Sequence, residues 1–192
     1  MAKAVLISIR PEWVEKILSG EKTQEVRKTR PALETPFKVY IYCTAGNLSY
    51  EVNNGMMCNI SGGKLVVGEF VCDNIRPLMA ESFIVKEDAE KALLGTSLTS
   101  GQVKDYAGWK GKKWWDCKDL YKWHISNLKI YDTPKELNEF WFPPELYCEK
   151  ERCGGCPYDQ VADVNGEYSF DCEWKRPLTR PPQSWCYVEE LQ

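Results

Sequence analysis

Hydrophobic and polar positions follow two different periods along the first third of the chain. Ala4-Val5-Leu6-Ile7 is a short apolar run that reads as a first strand. Pro11-Glu12-Trp13-Val14-Glu15-Lys16-Ile17-Leu18-Ser19 takes up a helical period, with Trp13, Ile17 and Leu18 on one face. Pro11 suits the first turn, because its missing N–H would be unpaired there anyway. Gly20 can adopt the left-handed conformation that stops a helix. From Thr23 the period falls to two: Val26 points into a core, while Thr23, Glu25 and Arg27 share the opposite face. Lys38-Val39-Tyr40-Ile41-Tyr42-Cys43-Thr44 alternates as a strand does. Lys64-Leu65-Val66-Val67-Gly68-Glu69-Phe70-Val71-Cys72-Asp73 is the strongest strand signal, with Gly68 marking a bulge or a close backbone approach.

A polar stretch rich in Gly and Asn occupies residues 45–63. Residues 87–94 form a helix candidate closed by Gly95, and residues 99–106 another, with Thr99 and Gln102 in capping-box spacing. Residues 123–131 return as a long strand. Thr133-Pro134-Lys135-Glu136 has the form of a capping box with Pro at the first helical position, followed by Leu137, Phe140 and Trp141 on one face. Pro143-Pro144 would stop that helix. Strands with short helices between them, and no βαβ alternation, predict an α+β protein: a closed mixed or antiparallel β-barrel with peripheral helices.

The 192 residues fit one domain, or one domain with an appended module. A net charge of −3 argues against a protein whose affinity comes mainly from coating a nucleic-acid backbone. A local patch is still available in Trp109-Lys110-Gly111-Lys112-Lys113-Trp114-Trp115, either as a base-stacking surface or as a solvated loop anchored by its aromatics. The N-terminal apolar run is too short for a secretory or membrane segment, so a cytoplasmic location is expected.

The densest chemistry is Gly20-Glu21-Lys22-Thr23-Gln24-Glu25-Val26-Arg27. An ammonium, a carboxylate and a guanidinium on one half-buried surface make a polar cleft for a flat ligand, or an acid/base centre. The alternative is an exposed salt-bridge ladder, worth about 0–1 kcal/mol per pair. Gly20-x-Lys22-x-x-Glu25-x-Arg27 behind the Pro11–Ser19 helix resembles the signature of the ASCH domain, a PUA-like β-barrel family. Trp123-His124-Ile125-Ser126-Asn127-Leu128-Lys129-Ile130-Tyr131-Asp132 is similar to that family's long returning strand. Pro181-Pro182-Gln183-Ser184-Trp185-Cys186-Tyr187-Val188 looks like the closing strand of its larger members. The organisation expected is a barrel over residues 1–142, an insert over 143–180 and a closing strand over 181–192.

The resemblance implies a cleft that holds RNA or a modified nucleoside, with Lys22, Thr23, Glu25 and Arg27 as ligand-binding residues. Some small ASCH proteins are similar to N-acetylcytidine amidohydrolases, which use a lysine, a nearby threonine and a distant glutamate. Lys22 falls on the family lysine, but the position of the catalytic threonine is held by Glu25. For the distant glutamate, Glu69, Glu81 and Glu87 are candidates by position. Lys22 and Glu25 are thus the candidate catalytic pair, either for hydrolysis of an N-acylated cytidine or for ribonuclease activity.

Cys148-x4-Cys153-x2-Cys156-x15-Cys172 lies in the insert. Cys153-Gly154-Gly155-Cys156 can turn tightly enough for two thiolates to reach one ion, and four cysteines complete a tetrahedral structural zinc site. Reduced thiols, a Cys153/Cys156 redox pair, disulfides, or Cys186 as fourth ligand are the alternatives. Cys43 and Cys72 read as small core residues. The single histidine, His124, reads as a core or rim residue, and no nucleophile elbow or HExxH sequence is present. Ser61-Gly62-Gly63-Lys64 lacks the glycine spacing of a phosphate loop and reads as a hairpin turn.

Overall fold

A computed structural model describes residues 2–51, 55–143 and 177–191. Among these residues ten strands run in chain order: β1 (Lys3–Ile9), β2 (Gln24–Arg27), β3 (Phe37–Cys43), β4 (Leu48–Glu51), β5 (Met57–Ile60), β6 (Leu65–Cys72), β7 (Ile75–Leu78), β8 (Leu120–His124), β9 (Ser126–Lys135) and β10 (Trp185–Glu189). The helices are α1 (Pro11–Leu18), α2 (Lys86–Ala92) and α3 (Ser100–Ala107), so the chain is α+β. The Thr99–Gln102 capping box starts α3 as its spacing predicts.

Five strands form one sheet in the order β10-β1-β3-β6-β9. β1 and β3 are parallel neighbours, so Ile9 and Cys43 bring their carboxyl ends out at the same edge. The sheet is buried on both faces. Val5, Ile7, Val39, Ile41 and Phe70 pack with Val14 and Ile17 of α1 and with Trp123 on one side. Leu6, Tyr40, Val66 and Val188 pack with Phe140 and Leu178 on the other. This explains why β1 reads as an unbroken apolar run rather than an alternating one. β2, β8 and β7 make a second sheet, whose Val26, Leu78 and Leu120 pack against Ala89 of α2, Val103 of α3 and Trp109. β4 and β5 form a hairpin.

Among the described residues these ladders remain separate and do not close the barrel expected from the sequence. The expected strand over 123–131 is divided at Ile125: β8 pairs with β2 and β7, whereas β9 pairs with β6. Asn127, with φ +47°, turns the chain at this corner. The helix expected after Thr133 is also absent. β9 continues to Lys135, paired with Val66, and a single 3-10 turn follows over Leu137–Glu139. Pro134 is tolerated there because β9 is an edge strand. The capping box exists, but between Glu136 and Glu139.

Gly68 fulfils its expectation. The β6–β9 register shifts beside it, and a Cβ at this position would come within 2.6 Å of Lys129 O. No helix among the described residues is long and apolar enough to cross a membrane. Cys148, Cys153, Cys156 and Cys172, with most of the expected insert, lie outside the described residues. Among those described, no group of three or more His, Cys, Asp or Glu side chains could hold a metal ion.

Candidate functional site

α1 ends as its sequence predicts, with Gly20 left-handed at φ +77° just beyond it. The chain turns back, and Lys22 N–H reaches Lys16 O at 2.7 Å before β2 begins at Gln24. That turn carries the Lys22 side chain inward, where it is 2% exposed. Along β2 the alternation holds: Val26 enters the core of the small sheet, while Glu25 and Arg27 face the other way. Both are buried, at 6% and 8% exposure, so they are not rungs of a surface ladder.

The three charges form a chain. Lys22 Nζ lies 3.4 Å from Glu25 Oε2, and Arg27 Nε lies 3.0 Å from Glu25 Oε1. The backbone completes them: Lys22 donates to Thr96 O at 2.6 Å, and Arg27 Nη2 donates to Ser8 O at 2.8 Å. Ser184, just ahead of β10, adds a longer contact of 3.4 Å to Arg27 Nη1. The Arg27 Nε–H ion-pairs with Glu25 by proximity but is not aligned for a hydrogen bond, and no other group accepts it. Lys22 Nζ also sits 5.6 Å from the centroid of the Trp13 ring. Burial pulls the Lys22 pKa below the ordinary lysine value, with Glu25 opposing and Arg27 and Lys16 reinforcing the shift.

These residues form part of the wall of a cleft of about 910 Å³ at the carboxyl ends of β1 and β3. α1 supplies Trp13, β3 supplies Tyr42, and α3 supplies Gln102 and Tyr106. Tyr106 is 40% exposed at the rim, and its phenol is shifted upward by burial, with Arg27 opposing. The cleft lining holds four cationic side chains (Arg10, Lys22, Arg27, Lys64) and three anionic ones (Glu12, Glu25, Asp105). Lys64 reaches the rim with φ +69°, after Gly62 and Gly63, which are also left-handed. Gly63 has no room for a side chain, since a Cβ there would stand 2.1 Å from Thr44 O.

Lys22, Glu25 and Arg27 are therefore brought together, and Thr23 is not. Thr23 lies outside β2, is exposed, and is absent from the cleft wall; its backbone N–H bonds Gly95 O at 2.8 Å. Glu69, Glu81 and Glu87 are likewise absent from that wall, Glu69 accepting a 2.6 Å hydrogen bond from Tyr131 instead. His124 is 40% exposed outside the cleft, with Nδ1 2.6 Å from Asp73 Oδ1. That hydrogen bond is the main reason the Asp73 carboxyl lies below its usual value. Sequence reasoning missed Ser8, Tyr42, Thr96 and Tyr106. Thr96 stands 74 positions from the lysine it holds, and no local pattern announces such a partner.

No protein-family model and no curated protein matches the chain. Among solved structures, a serine-to-alanine variant of ZmASCH from Zymomonas mobilis is 17% identical and aligns over 97% of this chain and 89% of its own, with a TM-score of 0.53. A tyrosine-to-phenylalanine variant of the same protein is 20% identical over 72% of this chain and 78% of its own, with a TM-score of 0.49. The chain thus has an ASCH-like fold.

Proposed function

We propose that the cleft binds a nucleoside, modified or within RNA, and that Lys22, Glu25 and Arg27 read its polar edge. The observation carrying this reading is the buried, mutually paired charge triad within an aromatic-lined cleft of about 910 Å³. Burying charges costs several kcal/mol per ion unless geometry and hydrogen bonds compensate. Such an array holds donors and an acceptor fixed before a ligand arrives, which lowers the ordering cost of binding. Glu25 suits an exocyclic amine, and Arg27 suits a carbonyl or phosphate oxygen, with its Nε–H still lacking an acceptor. Trp13, Tyr42 and Tyr106 offer ring faces for a base. The near-balance of charge in the lining fits a small ligand better than a polyanion.

Hydrolysis of an N-acylated cytidine is the second reading, favoured by one observation: the lowered pKa of Lys22, which suits a general base. Against it, Lys22 is engaged by Thr96 O and Glu25, and the candidate distant glutamates are not in the cleft wall.

Calorimetric titration with cytidine and N-acetylated cytidine, with chromatography of the mixture, tests both readings. Saturable binding without product is expected, weakened by at least about tenfold in Arg27→Lys, which keeps the charge but loses the planar fork. Absence of saturable binding to either nucleoside would overturn the proposal. Release of free cytidine that disappears in Lys22→Met would establish the second reading.

A further inference from the structure

The three tryptophans of the loop after α3 have opposite surroundings. Trp109 is 6% exposed, packs edge-on against Phe83 with centroids 5.3 Å apart, and donates its indole N–H to Lys118 O at 2.9 Å. It pins both ends of segment 109–118 onto the core of the small sheet. Trp114 and Trp115 stand out in solvent at 44% and 60% exposure, on the 3-10 turn Trp114–Asp116. Their rings meet edge to face, 5.5 Å between centroids at 84°, and both remain partly exposed. Keeping two large rings this exposed forfeits part of the burial open to them.

The charge around them differs from the rest of the chain. Between residues 109 and 118 stand four lysines against one aspartate, in a protein that is net acidic. Lys110, Lys112, Lys113 and Lys118 are all exposed, and Lys113 Nζ is 5.0 Å from the Trp115 ring centroid. Exposed aromatic rings among ammonium groups suit a strand whose bases stack while its phosphates pair. The loop also begins beside the cleft wall. It leaves α3 directly after Asp105 and Tyr106, which line that cleft, and Lys110 Nζ lies 4.0 Å from Asp105 Oδ1.

The geometry points to a second binding site: segment 109–118 holds single-stranded RNA by stacking bases on Trp114 and Trp115, while one nucleoside of that strand enters the cleft. The loop's affinity for the strand stands by itself, and the placement of a nucleoside in the cleft rests on the reading under Proposed function. A start beside the cleft wall favours a nucleic-acid strand over an anionic lipid surface, which would use the same lysines.

The test compares free N-acetylated cytidine, a short single-stranded RNA carrying it, and the same RNA unmodified, using fluorescence anisotropy and calorimetry. The protein is the full chain or Trp114→Ala/Trp115→Ala. Because both side chains are exposed, the variant should keep the wild-type melting temperature. The modified RNA should bind at least about tenfold more tightly than the free nucleoside, and the double substitution should remove that advantage while leaving nucleoside binding unchanged. In a separate Lys110→Gln/Lys112→Gln/Lys113→Gln variant, the slope of log K against log salt should fall by about 2. RNA binding that depends on the tryptophans, with no saturable binding of the free nucleoside, would support the loop site and overturn the cleft reading. Equal affinity of nucleoside and RNA, an unaffected double variant, or tryptophan-dependent binding to anionic vesicles without RNA binding would each overturn the loop site.

Discussion

Replacing Glu25 by Gln removes the one carboxylate that separates two buried cations. Its side chain is 8% exposed, flanked by Lys22 at 3.4 Å (2% exposed) and Arg27 at 3.0 Å (9% exposed). Breaking a buried ion pair by removing one partner typically costs about 3–5 kcal/mol, because the remaining charge is left uncompensated. Here Thr96 O and Ser8 O still accept from the two cations, which places the expected loss near the lower end, about 3 kcal/mol. Lys22→Met is a milder change. It leaves the Glu25–Arg27 pair intact and keeps an apolar stem beside Trp13, at the cost of an unpaired Thr96 carbonyl, about 1–3 kcal/mol before the relief of lysine desolvation is counted. The double variant should therefore be more stable than Glu25→Gln alone, since one of the two stranded cations has gone. Urea unfolding with a common m-value measures all four proteins. A Glu25→Gln loss within about 1 kcal/mol would refute the reasoning, because that is the scale of a solvent-screened surface pair.

The depressed pKa of Lys22 gives a pH signature. Between its folded-state value and the ordinary 10.5, the unfolded chain binds the extra proton, so this residue makes stability rise with pH across that window. Subtracting the Lys22→Met profile from the wild-type profile should expose that rise, and a flat difference would show an unshifted lysine. Gly63→Ala should destabilise by at least about 2 kcal/mol and weaken nucleoside binding, because a Cβ would strike Thr44 O from a left-handed backbone; unchanged melting would contradict this close approach. Burial raises the thiols of Cys43 to about 11 and of Cys72 and Cys186 to about 12, so in the native protein these three should resist a thiol reagent that labels Cys58 and Cys117. Mass-spectrometric mapping of the label checks it. Finally, the spacing of Cys148, Cys153, Cys156 and Cys172 predicts one zinc per chain. Elemental analysis should find it in the wild type and lose it in Cys153→Ser/Cys156→Ser; a metal-free wild type would favour free or oxidised thiols.

Local chemistry in the sequence located α1, α3, β3 and β6 because each carries its own signal: Pro11 and Gly20, the Thr99–Gln102 box, alternation through Lys38–Cys43, and the β-branched and aromatic run Leu65–Cys72. The same logic failed at Thr133-Pro134-Lys135-Glu136, where pairing of β9 with β6 out to Lys135 overrides a helix-start pattern. It failed again at Ile125, where the chain changes sheets. The adjacent polar pair Ser126-Asn127 breaks the alternation, but a slip of one residue does not by itself mark a change of sheet. β4, β5 and β7 were missed because four residues carry too few alternations to stand out, and Pro77 in β7 argues against a strand unless that strand lies on an edge, as it does. The site was legible where it is local. Lys22, Glu25 and Arg27 lie within six residues, whereas Ser8, Thr96 and Tyr106 come from distant segments that only tertiary packing brings near. Thr23 lies off the cleft because the turn after α1 runs through it, and strand alternation begins only at Gln24.

The most direct test of the cleft reading is a two-dimensional amide and indole NMR titration of the full chain with N-acetylated cytidine. Saturable shifts concentrated at the Trp13 indole and at the amides of Lys22, Glu25, Arg27 and Thr96 are predicted. Shifts that fail to saturate, or that map away from these positions, would contradict nucleoside recognition by the Lys22–Glu25–Arg27 cleft.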